Sequence, residues 1–366
     1  MWIFILLAGL RYRIGSDTII YEYAFNDVPV ISELTLHYLI DVSRFEYGFT
    51  IMMSLTKTLF KQFWVLLFIQ SLITNYCVFI FFKQNTRAPY VALILYFFVL
   101  YYFINCEAAR QGVAVGIFLY SWKYFVNNNW LKYFTAVIIA SLFHITAILF
   151  IILPFFKILK FWYKIKPSPF MYIILVLVLF SSVLIGFHLS NYILALELSG
   201  VIGEKSNSYF NTKEFGSLSP TTIFAYLFSY ILMPMFFLSK RNVRESTYGS
   251  TMIPMIFLSC IVCLCGGIPM TYRISYYLLP FFFVALTDSL FRKQIHSCSE
   301  SVKMVYKNKP NVILIMMVII YLVYKSQMYF TEESPGGYYK YYMRLYPYNS
   351  VIDKGIDQHR EGLYRK

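Results

Sequence analysis

The sequence predicts an all-α, polytopic membrane protein with about ten spans, and three observations lead to this fold class. Hydrophobic residues make up 59% and charged residues 14% of the 366 residues. Soluble domains contain about 45–50% hydrophobic residues and about 25% charged residues. Aromatic residues reach 20%, which suits membrane interfaces and cavity linings. Apolar runs of about 20 residues recur along the chain, so we expect a single membrane domain over residues 1–366.

Several apolar runs have the length that a helix needs to cross the hydrocarbon core, about 20 residues. They are Phe63–Phe82, Ala88–Asn105, Ala109–Val126, Phe170–Ser190, Thr221–Ser239, Thr251–Met270, Ser275–Phe291 and Val312–Tyr329. Met1–Leu10 is too short to span alone, so we expect either a start further upstream or a truncated first helix. Tyr47–Phe60 alternates loosely between apolar and polar residues, which predicts a helix in the interface.

Basic residues predict which ends of these helices face the cytoplasm. Five short segments hold 16 of the 32 Lys and Arg residues, with only three of the 18 acidic residues in or next to them, so their net charge is +13 against +1 for the rest. These segments are Lys83–Arg87, Lys123–Lys132, Lys157–Lys166, Lys240–Arg244 and Arg292–Lys309. The outer face then carries the loops 11–62 and 191–220, turns around Cys106–Arg110 and Thr271–Arg273, and the C-terminal tail 330–366.

The longer apolar run Phe134–Phe156 needs a special arrangement. With Lys132 and Lys157 both cytoplasmic, the run must return to the side from which it enters, in two arms of about 11 residues that are too short to span. We therefore predict a re-entrant hairpin with its tip near His144, and such broken backbone requires protein or a wet cavity around it. The alternative is one tilted span that leaves Lys157–Lys166 on the outer face.

Composition and motifs argue against several classes of function. The net charge of +14 comes mostly from short loops between apolar runs, so we expect no nucleic-acid partner. Cys260, Cys263 and Cys265 lie in an apolar run without a nearby histidine, and we interpret them as packing residues. The sequence contains no P-loop, HExxH or GxSxG motif, and Met1–Leu10 lacks the features of a cleavable signal peptide.

Two polar segments beside apolar helices are candidates for anion binding. Arg11, Arg13 and Asp17 fall within seven residues, and two arginines next to an acid can hold an anion beside a base. A charged interfacial anchor is the alternative. Arg110 lies between two helices with almost no loop, where its planar guanidinium can bind a diphosphate. The alternative there is a simple ion pair with Glu107, three residues earlier on the same helix.

Two further polar segments lie on the same predicted face. A lone histidine in an apolar stretch usually packs in the interior, but the hairpin would put His144 at a break where it can exchange a proton near neutral pH. Arg273 interrupts a long, mostly apolar stretch and has Tyr276 beside it; turn anchoring is the alternative role. His144 and Arg273 are predicted to lie on the same face of the membrane as Arg110, which favours a single site.

These residues occur in segments that resemble the EpsG family of polysaccharide-synthesis membrane proteins, which behave as Wzy-type repeat-unit polymerases. In chain order the segments are Arg11-Tyr12-x-x-Gly15-x-Asp17-x-x-x-Tyr21, Glu46-Tyr47-Gly48-Phe49, Arg110-Gln111-x-x-Ala114, Ala140-x-x-Phe143-His144-x-Thr146-Ala147 and Arg273-Ile274-x-x-Tyr277. The tail sequence Tyr346-Pro347-Tyr348 also resembles the ending of the family. Thr146 stands where the family has serine, and family members usually have a further helix before the first motif.

The resemblance implies a GT-C-like membrane glycosyltransferase that joins lipid-linked repeat units of an O-antigen, capsule or exopolysaccharide outside the bacterial inner membrane. The growing glycan leaves its undecaprenyl diphosphate for a sugar hydroxyl of the next unit, which requires cations and a base. The implied substrate-binding residues are Arg11, Arg13, Arg110, Gln111, Arg273 and Tyr276. Asp17 or His144 would be the base, and Glu107 would orient Arg110.

The same resemblance implies no metal and no other cofactor, because the lipid diphosphate already activates the donor. The implied partners are undecaprenyl-diphosphate-linked oligosaccharide and membrane lipid, together with a chain-length regulator and a flippase of the same pathway. Two other functions stay open, a flippase of lipid-linked sugar and a ligase of finished glycan. A flippase usually has paired halves and charges along a central cavity, and the sequence contains neither feature.

Overall fold

The computed structural model describes residues 1–160, 165, 168–195, 220–238, 249–265, 271–294, 307–330 and 348–354. Over these residues the chain is helical apart from one short pair of strands, so the predicted all-α class is confirmed. The chain divides into two compact units. Unit 1 comprises Met1–Gln84, Tyr96–Phe156 and Gln327–Lys366, and unit 2 comprises Asn85–Leu95 and Lys157–Ser326. The single membrane domain over residues 1–366 stays a prediction.

The N-terminal part of the chain forms a series of helices joined by short connections. They are α1 (Trp2–Gly9), α2 (Ser16–Asp27), α3 (Tyr47–Phe60), α4 (Phe63–Asn85), α5 (Pro89–Tyr96), α6 (Ala109–Val126), α7 (Trp130–Phe143) and α8 (Leu153–Ile158). Short π-helical segments occur at Tyr38–Val42, Phe97–Tyr101 and Phe103–Glu107, and a 3-10 helix at Ile145–Ile152. The predicted outer loop 11–62 therefore contains two helices, and α3 has the bounds predicted for the interfacial helix.

The helices of this predicted loop pack on the rest of unit 1 through an aromatic core. The core contains Tyr21, Phe25, Val28, Phe49, Met53, Leu66 and Ala109, all buried, and Phe143 at the end of α7 packs against it. The rings of Tyr21 and Phe49 meet edge to face with 5.2 Å between centroids, a favoured aromatic geometry. This core fixes α2 and α3 against the start of α6 and the end of α7.

The run Phe134–Phe156 reverses direction at His144, as the hairpin prediction requires. His144 ends α7 with extended backbone angles, φ −157° and ψ 121°. The Tyr133 hydroxyl donates to the Phe150 carbonyl over 2.8 Å, and the ring centroids of Phe134 and Phe155 are 6.4 Å apart. On one continuous helix, residues so far apart in sequence would be separated by about 30 Å. The depth of this hairpin in a membrane stays a prediction.

Unit 1 also contains a hydrogen-bond network that is completely buried. Asn75 on α4 donates to the Asn105 side-chain oxygen over 2.8 Å and accepts from the Tyr96 hydroxyl over 3.0 Å. Asn105 in turn donates to the Tyr96 oxygen over 2.8 Å and to the Tyr101 carbonyl over 2.9 Å. The three side chains satisfy one another without exposure to solvent, so the network fastens α4 to the helix that leads into Glu107.

The remaining elements follow α8 along the chain. They are α9 (Pro169–Ala195), α10 (Pro220–Leu227), the π-helical segment Phe228–Leu232, α11 (Met233–Leu238), α12 (Gly249–Leu264), α13 (Thr271–Leu290), β1 (Phe291–Gln294), β2 (Lys307–Pro310) and α14 (Val312–Phe330). Within unit 2, Phe282 contacts the rings of Tyr230, Phe237 and Tyr321 at centroid distances of 5.9, 5.6 and 6.2 Å. This aromatic cluster joins α11, α13 and α14. The antiparallel pair of β1 and β2 was not predicted.

The structure tests the predicted spans only in part. Two stretches, Phe63–Asn85 and Thr221–Leu238, are long and apolar enough to cross a membrane by length and composition. Of six further apolar helical stretches of 10–17 residues, four overlap other predicted spans, and two, Trp130–Phe143 and Ile145–Ile158, contain the arms of the predicted hairpin. About ten crossings and the GT-C-like arrangement stay predictions. The predicted turn at Thr271–Arg273 is wrong, because these residues form the first turn of α13. Residues 196–219, 331–347 and 355–366, which carry most of two predicted outer segments, lie outside the described residues.

Candidate active site

Arg110 lies in the first turn of α6 because the preceding helical segment stops at Glu107, three residues earlier. Ala108 adopts φ −96° and ψ 57° and breaks the helix between Glu107 and Arg110. The two residues therefore do not lie on one continuous helix, as the ion-pair alternative assumed, and the role of Glu107 in orienting Arg110 stays a prediction. Glu107 accepts a hydrogen bond from the Tyr102 hydroxyl over 2.9 Å, and the carboxylate partner of Arg110 is Glu46, directly before α3.

The guanidinium of Arg110 is held on three sides and retains an open edge. Its Nη1 pairs with Glu46, its Nε donates to the Tyr21 hydroxyl over 3.4 Å, and its carbon lies 4.6 Å from the centroid of the Phe45 ring. The Arg110 side chain is 20% exposed, and within the described part of the chain its Nη2 has no hydrogen-bond partner. The start of a helix carries partial positive charge, so this edge is suited to an anion.

Tyr21 connects Arg110 with Asp17. Its hydroxyl accepts from Arg110 and donates to Asp17 Oδ2 over 3.2 Å. Burial raises the pKa of Tyr21, and the neighbouring Asp17 carboxylate raises it further. The hydroxyl therefore stays protonated at neutral pH and serves as a donor to Asp17. A carboxylate and a cation thus share one hydrogen-bond chain.

Two glycines of the family-like motifs allow the elements of this cluster to approach closely. Gly15, with φ of +99°, lies directly on the carbonyl of Cys106, which a Cβ atom would overlap. Gly48 lies on the hairpin, where a Cβ would come within 2.8 Å of the Leu142 carbonyl oxygen. Gly15 therefore sets the position of α2 beside Arg110, and Gly48 sets the position of α3 against the tip of the hairpin.

His144 is 4% exposed at the tip of the hairpin, where its side chain has a structural role. Its Nδ1 accepts from the backbone N–H of Thr146 over 3.4 Å and lies 2.7 Å from the Thr146 hydroxyl. The side chain thus caps the 3-10 helix that follows. Since Nδ1 acts as the acceptor, this hydrogen bonding assigns the proton of the neutral ring to Nε2. The preceding residue, Phe143, packs on the aromatic core that contains Tyr21.

Arg11 and Arg13 line a small cavity of about 80 Å³ in unit 1. Arg11 is 1% exposed and donates to the carbonyls of Ala8 and Ile14, so it closes the end of α1. Arg13 pairs with Glu22 over 2.9 Å. Glu22 and its neighbour Tyr21 on α2 thus serve different arginines. Lys354 of the C-terminal segment lines the same small cavity.

The other residues predicted for the site are Gln111, Arg273 and Tyr276. Gln111 is buried in α6 next to Arg110. Arg273 belongs to unit 2, where its Nε donates to the Tyr272 hydroxyl over 3.3 Å. The ring of Tyr276 lies 5.9 Å from that of Tyr272 at an edge-to-face angle. The membership of Arg273 and Tyr276 in the same site as Arg110 stays a prediction.

Sequence reasoning missed three residues that contact Arg110 directly. Glu46 and Tyr21 occur in the motifs but received no role, and Phe45 was not considered. Glu46 is an acid within the largely aromatic segment Phe45–Phe49, and this isolated charge was the available signal. Its partner was not visible because 64 residues separate it from Arg110.

A comparison with protein-family models gives one match. The model described as the EpsG family covers residues 1–350, which include all five motif segments. The chain belongs to the EpsG family. This membership associates the protein with polysaccharide biosynthesis in the membrane and with a polymerase-type glycosyltransferase role. Comparisons with curated proteins and with solved structures gave no match.

Proposed function

We propose that this EpsG-family protein is a metal-independent, multi-pass polymerase of the bacterial inner membrane that joins undecaprenyl-diphosphate-linked oligosaccharide units on the outer face. The observation that carries the proposal is the cluster in which Arg110 has an open guanidinium edge and is linked through Tyr21 to the carboxylate of Asp17. Cleavage of a glycosyl diphosphate requires a cation for the leaving group and a base for the incoming hydroxyl. The cluster supplies both groups.

In this proposal Arg110 stabilises the charge that develops on the departing diphosphate. Glu46 and Phe45 hold its guanidinium in place from the other sides. Asp17 accepts the proton of the attacking sugar hydroxyl, and Tyr21 orients the Asp17 carboxylate. We prefer Asp17 to His144 as base because Asp17 shares the hydrogen-bond chain of Arg110, whereas Nδ1 of His144 is engaged by Thr146. Arg273 and Tyr276 are proposed as further substrate-binding residues.

The test is the pattern of surface glycan made by point variants in the native host. Arg110→Ala should remove the ladder of polymer and leave lipid-linked single units outside the membrane. Arg87→Ala, an exposed arginine on the predicted cytoplasmic face, is the matched control and should give a normal ladder. Membrane content of each variant is measured by immunoblot so that loss of protein is recognised.

Three outcomes would contradict the polymerase proposal. A full-length ladder in Arg110→Ala at normal protein level would remove Arg110 from the reaction. Accumulation of single units on the cytoplasmic side would instead indicate a flippase. Loss of transfer to a final acceptor, with polymer still formed on the lipid carrier, would indicate a ligase.

A further inference from the structure

Unit 1 contains a cavity of about 390 Å³ between α2, the segment around Tyr38–Phe45 and the start of α3. Its volume falls in the range of small-molecule sites, about 300–1,000 Å³. The lining combines aromatic rings with charged groups, and the residues that matter here are Tyr23, Asp27, Tyr38, Arg44 and Phe45. None of these residues was singled out as functional by the sequence.

Phe45 forms a common wall between this cavity and Arg110. Its ring lines the cavity and also lies 4.6 Å from the guanidinium carbon of Arg110. The position of the ring is fixed, because it meets Tyr21 and Phe49 edge to face at centroid distances of 5.5 and 5.8 Å. A group bound in the cavity is therefore separated by a single aromatic ring from the cation that would hold a diphosphate.

The backbone beside Phe45 is also held in place. The Ser43 hydroxyl lies 3.2 Å from the Phe45 carbonyl oxygen and 2.7 Å from the Thr50 hydroxyl. Ser43 and Thr50 both line the cavity. The cavity is thus a preformed feature of the segment that leads into α3.

The chemistry of the lining matches a sugar ring better than the other parts of a lipid-linked glycan. A pyranose has an apolar C–H face that packs on aromatic rings and a rim of hydroxyls that carboxylate and guanidinium groups bind strongly. Tyr23, Tyr38 and Phe45 provide rings, and Asp27 and Arg44 provide the charged partners. A polyprenyl chain has no polar groups for Asp27 and Arg44, so burying them against it would carry a desolvation cost.

We propose that this cavity binds the sugar residue joined directly to the diphosphate of the lipid-linked substrate. The inference rests on the proposed function, in which Arg110 binds the diphosphate of that substrate. It adds a saccharide subsite in the α2–α3 region and makes Asp27, Tyr38 and Arg44 specificity residues. The repeat unit would be selected by the sugar at its reducing end.

The first test measures saccharide binding to the purified full-length protein in lipid nanodiscs. The probe is the repeat-unit oligosaccharide released by mild acid from the lipid-linked pool of the host, observed by saturation-transfer-difference NMR. Asp27→Asn should weaken binding by about tenfold, the usual loss for a hydrogen bond to a charged group. Asp41→Asn is the matched control, because Asp41 is exposed, pairs with His37 and does not line the cavity.

Two further measurements keep the proposal falsifiable if Asp27→Asn folds poorly. Ala24→Leu, which adds volume to the lining, should also weaken binding of the oligosaccharide. Reduction of the reducing-end sugar to an open-chain alditol should weaken binding to the wild-type protein, because the flat ring face is lost.

Three outcomes would overturn the subsite. They are no binding of the released oligosaccharide, equal binding by wild type and both lining variants, or equal binding of the reduced and unreduced oligosaccharide. Each can occur while Arg110→Ala still abolishes the ladder, in which case the polymerase proposal stands without the subsite. A normal ladder in Arg110→Ala would contradict the polymerase proposal whatever the NMR experiment gives.

Discussion

Unit 1 contains two polar networks that differ in how completely their groups are satisfied. In the network of Asn75, Tyr96 and Asn105, each side chain bonds to the others and all three are buried. In the network of Arg110, Tyr21 and Asp17, the guanidinium retains an open edge and is 20% exposed. Both place costly polar groups among apolar helices. The closed network fastens helices together, whereas the open one can still bind a ligand.

The largest effect on the rate is expected when the shape of the Arg110 cation changes while its charge is kept. Arg110→Lys should lower the rate of polymerisation by about 10²–10³-fold, because an ammonium cannot pair with Glu46 and a diphosphate in the fixed geometry of a guanidinium. The rate is measured in membrane vesicles with host lipid-linked units and is normalised to protein amount. A rate within threefold of wild type, roughly the size of a lost exposed contact, would mean that only charge matters here.

A second prediction concerns the close approach of Gly15 to Cys106, which positions α2 and its Asp17. Gly15→Ala should lower the rate by about 10–100-fold, because displacement of α2 by about 1 Å misplaces Asp17 relative to the substrate. The new Cβ would overlap the Cys106 carbonyl, and φ of +99° is unfavourable for alanine. Asn26→Ala on the same helix changes an exposed position that lines neither cavity, so it serves as control for α2. A wild-type rate for Gly15→Ala would show that α2 tolerates the shift.

The link between the cation and the base can be tested alone. Tyr21→Phe keeps the buried ring but removes the hydroxyl that joins Arg110 to Asp17. The rate should fall by about tenfold, as expected for loss of one hydrogen bond to a charged group. The effect should appear in kcat with little change in KM, since Tyr21 positions the base and does not touch substrate. An unchanged kcat would mean that the Tyr21 hydroxyl does not position Asp17 in the reaction.

The smallest effect on rate is expected from the closed network. Asn75→Leu removes partners of Asn105 and Tyr96 and should lower the free energy of unfolding by about 1–3 kcal/mol, because buried polar groups are left unsatisfied. Thermal melting in detergent measures this loss. The polymerisation rate per folded molecule should stay at the wild-type value. A drop in that rate without a drop in melting temperature would mean that the closed network also acts in the reaction.

The sequence was a good guide to the helices and a poor guide to which side chains contact one another. The bounds of α3 and α6 and the chain reversal at His144 were predicted, because apolar runs and loop charges are local signals. The spacing of Glu107 and Arg110 suggested that both residues lie on one helix, but the single residue Ala108 breaks the helix between them. The β1–β2 pair was missed because it is short and lies in a basic loop.

The sequence by itself therefore determined the all-α class, the membrane character and the family, since hydropathy, loop charge and ordered motifs are read along the chain. Only the tertiary structure decided that Glu46 is the partner of Arg110, that Tyr21 joins Arg110 to Asp17, and that Phe45 separates Arg110 from a cavity. The physical reason is distance along the chain. These contacts join α2, α3 and α6 through close packing, and packing between distant segments depends on the position of every helix involved.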